Sequence, residues 1–255
     1  MNAEKQNLVE MRGVRLQFAD KVILDGVDFS MSADDVLVIM GLSGSGKSTL
    51  LGILMGLLKP DAGAVCFKEE DLTKFSRLQW NDLRTHLGMV YQNAALISSL
   101  SVGENIALPL RELTDKNGDE IAAIVSQKLE IVGLEKIGDK LPSELSGGME
   151  KRVGLARALA MEPELVLFDE PSAGLDPINS KLIDDLIIQL RDKQKVASVV
   201  VTHEMESAFS VATKMAFLHE GKIILEGTPD EFRCSKNPTV SKFLSPLTDR
   251  EHASH

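Results

Sequence analysis

Apolar residues alternate at the start of the chain, then cluster, then fall into a helical period, and each change of rhythm marks a different element. In "LVEMRGVRLQF" and "KVILDGVDFSM" (8–18 and 21–31) apolar side chains recur largely at every second position, the period of a strand with one wet face. The polar Ala19-Asp20 step between them predicts a turn. "VLVIM" (36–40) has no polar position and predicts a central strand covered on both faces. "TLLGILMGLL" (49–58) has helical spacing and predicts a helix running to a stop at Lys59-Pro60-Asp61. From about residue 94 to 162 the pattern is mostly helical, with Ile121, Ile124, Val125, Leu129 and Val132 forming one apolar stripe. "ELVLFDE" and "VASVVVTHE" predict two more buried strands. Between them "NSKLIDDLIIQLRD" predicts a helix that turns Ile183, Leu186, Ile187 and Leu190 inward. "MAFLHEGKIILEG" predicts a hairpin around Glu220-Gly221. The tail, 237–255, is weakly patterned and predicts a loosely held segment.

Composition adds mainly exclusions. A chain of 255 residues can bury a full core, and 44% apolar with 26% charged residues is ordinary for a globular protein. No apolar run approaches the ~18 residues needed to cross a bilayer. The opening "MNAEKQNLVEMRG" lacks the apolar core of a secretory signal, so a cytoplasmic chain is expected. A formal net charge of −10 argues against a nucleic-acid surface. Cys66 and Cys234 have no metal-ligand spacing around them and read as small buried or half-buried thiols. His86, His219, His252 and His255 have no partner at useful spacing and read as surface or structural residues. Asp34-Asp35 places negative charge at the entrance to the central strand.

The chemistry begins at "GLSGSGKS" (41–48), set between a buried strand and a helix. Gly41, Gly44 and Gly46, with Ser43 and Ser45 between them, let backbone N–H groups wrap a phosphate without interference from Cβ atoms. The helix that opens at Lys47, Ser48 and Thr49 adds its N-terminal partial charge. Lys47 reaches the β- and γ-phosphates, and Ser48 offers a hydroxyl to Mg²⁺. "LVLFDE" (165–170) supplies the partner: Asp169 at the strand's carboxyl end holds Mg²⁺ through water, and Glu170 orients or deprotonates the attacking water. The fold class expected is therefore α/β: a P-loop NTPase with a RecA-like core, a β-rich N-terminal part and a helical insertion.

A second glycine pair stands in "LSGGMEKR". Ser146, Gly147 and Gly148 open another helix and present hydroxyl and N–H groups to an anion. The helix that follows spans about 16 Å at 1.5 Å per residue. That length carries its N-terminus away from the strand end serving the chain's own nucleotide, so a phosphate held there belongs to another chain.

With these motifs the chain resembles the ATP-binding-cassette ATPases over nearly its whole length. "LSGGM" matches the signature motif, "LVLFDE" Walker B, Gln92 in "MVYQN" the Q-loop, "SAGLD" the D-loop with Asp176, and His203 the switch histidine. Phe18 stands where the family carries an aromatic that stacks on adenine. Taken alone, Gln92 reads as a surface amide and His203 as a strand-end histidine; for Phe18 the alternative to stacking on adenine is a place in the core. The resemblance implies ATP as cofactor with Mg²⁺ at Ser48, Gln92 and Asp169, and an antiparallel N-terminal β subdomain. It implies one ATPase domain over residues 8–236, with a helical subdomain inserted at about 94–162 and a C-terminal tail at 237–255. It also implies a head-to-tail homodimer in which Ser146-Gly147-Gly148 of each subunit closes on the γ-phosphate held by the other, with Asp176 serving communication between subunits.

Such an ATPase drives an integral-membrane permease, whose docking groove the resemblance places at roughly 92–110. Met149, "AALISSLSVGENIALPLRE" and the run from "LPSELSGGM" to "SAGLDP" resemble the ATPases of Mla-type phospholipid transporters. Their partners carry MCE domains. This implies a peripheral position at the cytoplasmic face of the inner membrane, with membrane contact through the permease alone. The rival readings are the ATPase of a small-solute importer, such as one for an amino acid, and an ATP-gated regulator of the cell-division type.

Overall fold

The computed structural model describes residues 7–252, with side chains through Ser245. The chain begins with β1 (Asn7–Phe18), β2 (Lys21–Ser32) and β3 (Val36–Met40), then α1 (Lys47–Leu54). Next come β4 (Ala62–Phe67), β5 (Glu70–Asp71), α2 (Arg77–Leu83) and β6 (Leu87–Val90). Between β6 and the next strand lie α3 (Val102–Leu113), α4 (Gly118–Ile131) and α5 (Gly147–Ala158). The core resumes with β7 (Leu165–Asp169), α6 (Pro177–Gln189), β8 (Ala197–Thr202) and α7 (Met205–Val211). The hairpin β9 (Lys214–His219) and β10 (Lys222–Gly227) follows, then α8 (Pro229–Arg233) and α9 (Pro238–His252).

Two sheets result. An antiparallel one runs β2-β1-β4-β5, and a six-stranded one runs β10-β9-β3-β8-β7-β6. In the larger sheet the pairs β9-β3, β3-β8, β8-β7 and β7-β6 are parallel, and only the edge pair β10-β9 is antiparallel. The wholly apolar β3 and the mostly apolar β7 and β8 beside it are what a sheet covered on both faces requires. Along β3, Val36, Val38 and Met40 join the core on the helical-insertion side, while Leu37 and Ile39 join the core shared with the antiparallel sheet. The stripe on α4 packs as its period predicts: Ile121, Leu129 and Val132 are buried, and Ile124 and Val125 lie against the same core.

Four expectations need correction. The first helix stops at Leu54, well before Pro60. Gly56 ends it in the left-handed region (φ +63), and a Cβ there would strike the Trp80 ring, so the position requires glycine. The tail is not loosely held at its start. Asn237 caps α9 by accepting from the Thr239 N–H at 3.0 Å, Val240 and Leu244 are buried, and Phe243 meets Phe217 edge-on with centroids 5.0 Å apart. Those three apolar positions have helical spacing, but the polar residues around them mask it. Cys66 is buried, whereas Cys234 is exposed. His86 does have a partner, its Nδ1 lying 3.2 Å from Glu164 Oε1; the His252 side chain and His255 lie outside the described residues. At the entrance to β3, Asp35 earns its place, accepting the Ser32 N–H at 2.7 Å and the Thr213 hydroxyl at 3.2 Å.

The packing of α9 has a measurable consequence. Leu244→Ala leaves a cavity at a buried site, and the expected loss is about 2 kcal/mol, or roughly 4–8 °C in melting temperature. An unchanged thermal unfolding curve would place the tail off the core.

Candidate nucleotide site

Parallel pairing aligns the carboxyl ends of the central strands. Met40 sits beside Thr202, Val201 beside Asp169 and Phe168 beside Val90. The segments leaving those ends therefore emerge along one edge, where open α/β sheets bind ligands. They form a cleft of about 740 Å³ lined by Ser43, Gly44, Gly46, Lys47, Ser48, Thr49, Gln92, Glu170 and His203. Ile23, Leu42, Met205 and Phe243 line it as well, and motif reading did not anticipate them. Phe243 comes from α9, so the tail reaches the cleft.

The loop after β3 is shaped by conformations that only glycine adopts freely. Gly44 and Gly46 have φ of +77° and +107°, and a Cβ on Gly46 would lie 2.9 Å from Leu24 Cδ2. Lys47 folds back over the loop, its Nζ donating to Gly41 O at 2.9 Å and Leu42 O at 3.2 Å. Ser45 does not face the cleft: its N–H closes a turn onto Leu42 O and its hydroxyl is enclosed.

At the end of β7 the two acids take different surroundings. Asp169 Oδ1 accepts from the Ser48 hydroxyl at 3.1 Å. Burial raises its carboxyl above the ordinary range, partly offset by the Ser48 bond. A carboxylate and a hydroxyl converging in a site that disfavours bare negative charge suit a hard divalent cation with oxygen ligands. Glu170 is 9% exposed and has a left-handed backbone (φ +48). Its Oε1 lies 3.7 Å from Lys47 Nζ, and its Oε2 accepts the His203 N–H at 3.2 Å and lies 2.9 Å from His203 Nδ1. Lys47, Glu170 and His203 thus form one continuous polar array at the cleft floor.

Gln92 is exposed at the rim, and two residues outside any motif fix the loop that carries it. Arg157 on α5 donates to Ala94 O and Ala95 O, both at 2.7 Å. Both alanines have left-handed backbones, φ +54 and +50. Fully buried Asn105 on α3 holds the next stretch by bonding the N–H and C=O of Ile97 and the carbonyls of Leu100 and Ser101. Ile97 is left 40% exposed within the segment proposed for docking.

Phe18, Ser146-Gly147-Gly148 and Asp176 do not line the cleft. Phe18 is half exposed at the end of β1. Ser146 caps α5 by accepting from the Met149 N–H at 3.3 Å. Gly148 packs so closely that a Cβ would lie 2.6 Å from Asn179 Oδ1. Asn179 donates to Asp176 Oδ2 at 2.6 Å, and Asp176 Oδ1 accepts the N–H groups of Ile178 and Asn179 at 3.0 Å. Those Asn179 bonds hold the Asp176 carboxyl below its usual range. The two motifs left outside the cleft therefore touch each other through Asn179. The Asp-Pro-Ile-Asn run, with its helix-capping aspartate, is the sequence signal that points to this residue.

Comparison with known proteins agrees with this geometry. Residues 24–173 match the model of the ABC transporter family. The intermembrane phospholipid transport system ATP-binding protein MlaF of Haemophilus influenzae is 38% identical over 96% of this chain and 92% of its own length. A probable ribonucleotide transport ATP-binding protein of Mycobacterium leprae is 36% identical over 93% of this chain and 68% of its own. A solved dimeric ATP-binding cassette, in a post-hydrolysis state with ADP and Pi, superposes with a TM-score of 0.80 at 30% identity, covering 87% of this chain and 98% of that one. The chain belongs to the ABC transporter family, as an ATP-binding subunit that hydrolyses the nucleotide to drive transport.

Proposed function

We propose that this subunit powers transport of phospholipid or a related lipid, and that it hydrolyses ATP between two copies of itself packed head to tail. The observation that carries the catalytic reading is the Glu170 carboxylate held between Lys47 Nζ at 3.7 Å and His203 Nδ1 at 2.9 Å. Lys47 leaves the Gly41 and Leu42 carbonyls to bond β- and γ-phosphate oxygens, which frees Glu170 from its cation. Glu170 then takes a hydrogen bond from the water that attacks the γ-phosphorus in line and draws off its proton, while His203 and Gln92 orient that water and the γ-oxygens. Ser48, Asp169 and Gln92 are the oxygen donors suited to Mg²⁺, which when bound neutralises phosphate charge. Gly41, Ser43, Gly44, Gly46 and Thr49 cradle the phosphates, and Phe18 stacks on adenine.

Ser146, Gly147 and Gly148 lie outside the chain's own cleft, which supports their use in trans on the γ-phosphate of a partner copy. The dimeric cassette relative has the same fold. Asp176, joined to Gly148 through Asn179, carries the state of one site to the other.

No helix among the described residues is long and apolar enough to cross a membrane, so the membrane-spanning path is contributed by a permease that docks on the 92–110 segment. The lipid reading rests on the phospholipid-transport relative, which the chain matches nearly end to end. By the same likeness the assembly includes an MCE-domain protein and sits at the cytoplasmic face of the inner membrane. The mycobacterial relative, described as a ribonucleotide transport protein, favours a second reading in which the same motor drives import of a small solute.

Glu170→Gln is expected to bind ATP with unchanged affinity and to accumulate as an ATP-bound dimer, while steady-state turnover falls at least about a hundredfold. Wild-type turnover would remove Glu170 from its role. For the cargo, the tagged chain is purified from its native membranes in mild detergent and co-purifying proteins and lipids are identified by mass spectrometry. An MCE-domain protein with bound phospholipid is expected. A solute-binding protein without lipid would install the import reading, and a cell-wall enzyme regulator would make the subunit a signalling device.

A further inference from the structure

Lys151 is a lysine where none is needed for solubility. It lies in the first turns of α5, five residues beyond Ser146, and is only 7% exposed. Burial lowers the pKa of its ammonium, although the nearby Glu204 and Glu170 carboxylates favour the charge. Its Nζ does not pair with either acid. It donates to Ala173 O at 2.6 Å and approaches Glu170 O at 3.5 Å, the outer limit of a hydrogen bond. Both acceptors are main-chain carbonyls of the turn that follows β7.

That turn is tied to the sheet at its start, where the Glu170 N–H bonds Val201 O at 2.9 Å, and closed at its far end by the Leu175 N–H on Ser172 O at 3.1 Å. Glu170 has the left-handed backbone of φ +48, a conformation that a non-glycine residue holds only when its surroundings fix it. The Ala173 N–H bonds back to Glu170 O at 3.2 Å, so both ends of one short turn share the carbonyl that Lys151 approaches. On its other side the Ser172 hydroxyl meets Ser207 at 3.4 Å, and Ser207 donates to buried Asp184 at 2.5 Å. Lys151 is thus the link from α5, whose N-terminus is the signature loop, to the backbone that aims the Glu170 carboxylate. A charged donor on a neutral carbonyl in a buried site is worth more than an ordinary hydrogen bond.

We propose that Lys151 is a positioning residue that couples the two half-sites of one subunit: when the signature loop engages the partner's nucleotide, α5 acts through Lys151 on the Glu170–Ala173 turn and sets the Glu170 side chain for attack. Each chain then completes its own catalytic site only when it also completes its partner's. Hydrolysis is gated by closure at both sites rather than by occupancy of one. The inference rests on the reading of Glu170 as the group that activates water and of Ser146-Gly147-Gly148 as acting in trans.

The test uses the full chain with Lys151→Met, which keeps the apolar stem and removes the donors, and Lys151→Gln, which keeps an amide donor. ATP affinity, turnover at saturating ATP and dimer content in the presence of ATP are measured for each, beside Glu170→Gln. Lys151→Met is expected to bind ATP within about twofold of wild type and to lose at least about tenfold in turnover. It should also accumulate ATP-bound dimer as Glu170→Gln does, because the nucleotide still bridges the subunits but is not cleaved. Lys151→Gln is expected to recover part of the turnover, and it decides the question by the same readout if Lys151→Met does not fold. A folded variant with wild-type turnover overturns the proposal. So does a variant that loses turnover and ATP-dependent dimer together, the pattern of a merely structural defect. If Glu170→Gln itself turns over normally, the underlying reading of Glu170 has failed, which is a separate result.

Discussion

Parallel pairing of four buried strands is the constraint on which everything else rests. β6, β7, β8 and β3 run in one direction with their ends in register, so segments far apart in the chain leave the sheet at one edge. None of these strands holds its position by its own sequence. Each is mostly apolar and largely buried, with side chains contributed to the cores on either side. A slip of one residue between β8 and β7 would exchange which side chains face each core and move His203 relative to Glu170. The 2.9 Å contact between those residues is therefore a readout of sheet register as much as a local interaction.

The edge so formed is electrically unfinished. A buried lysine bonds two carbonyls and faces a buried glutamate, while the neighbouring aspartate is pushed above its ordinary range by burial. Phosphate oxygens answer the first group better than neutral carbonyls do, and an oxygen-ligated divalent cation is what Asp169 with Ser48 would suit.

Much of this was legible in the sequence because it is written locally. The glycine loop, the apolar strands ending in Asp169-Glu170 and Thr202-His203, and the stripe on α4 each occupy a short run whose period or spacing carries the meaning. What escaped lies between distant segments. Arg157 and Asn105 act on main-chain carbonyls of the loop after β6, contacts that no spacing rule encodes. Lys151 is enclosed, which nothing in its local sequence signals. The tail failed for a different reason. Val240, Phe243 and Leu244 have helical spacing, but burying them depends on Phe217 and the rest of the existing core. The early stop of α1 is set by the closeness of Trp80 to Gly56, again a tertiary fact.

The question raised by the second glycine pair is answered by where it sits. Had Gly147 and Gly148 lined the cleft, one chain would complete its own site and have no reason to associate. Instead Gly148 is pressed against Asn179, which is tied to Asp176, and α5 reaches back through Lys151 to the turn that carries Glu170. The helix that opens at Ser146-Gly147-Gly148 is thus joined, through Lys151, to main-chain carbonyls of the turn that carries Glu170. Such a connection has little value in an enzyme that works alone. In the coupling proposed for Lys151, it would make cleavage at one site depend on closure at the other.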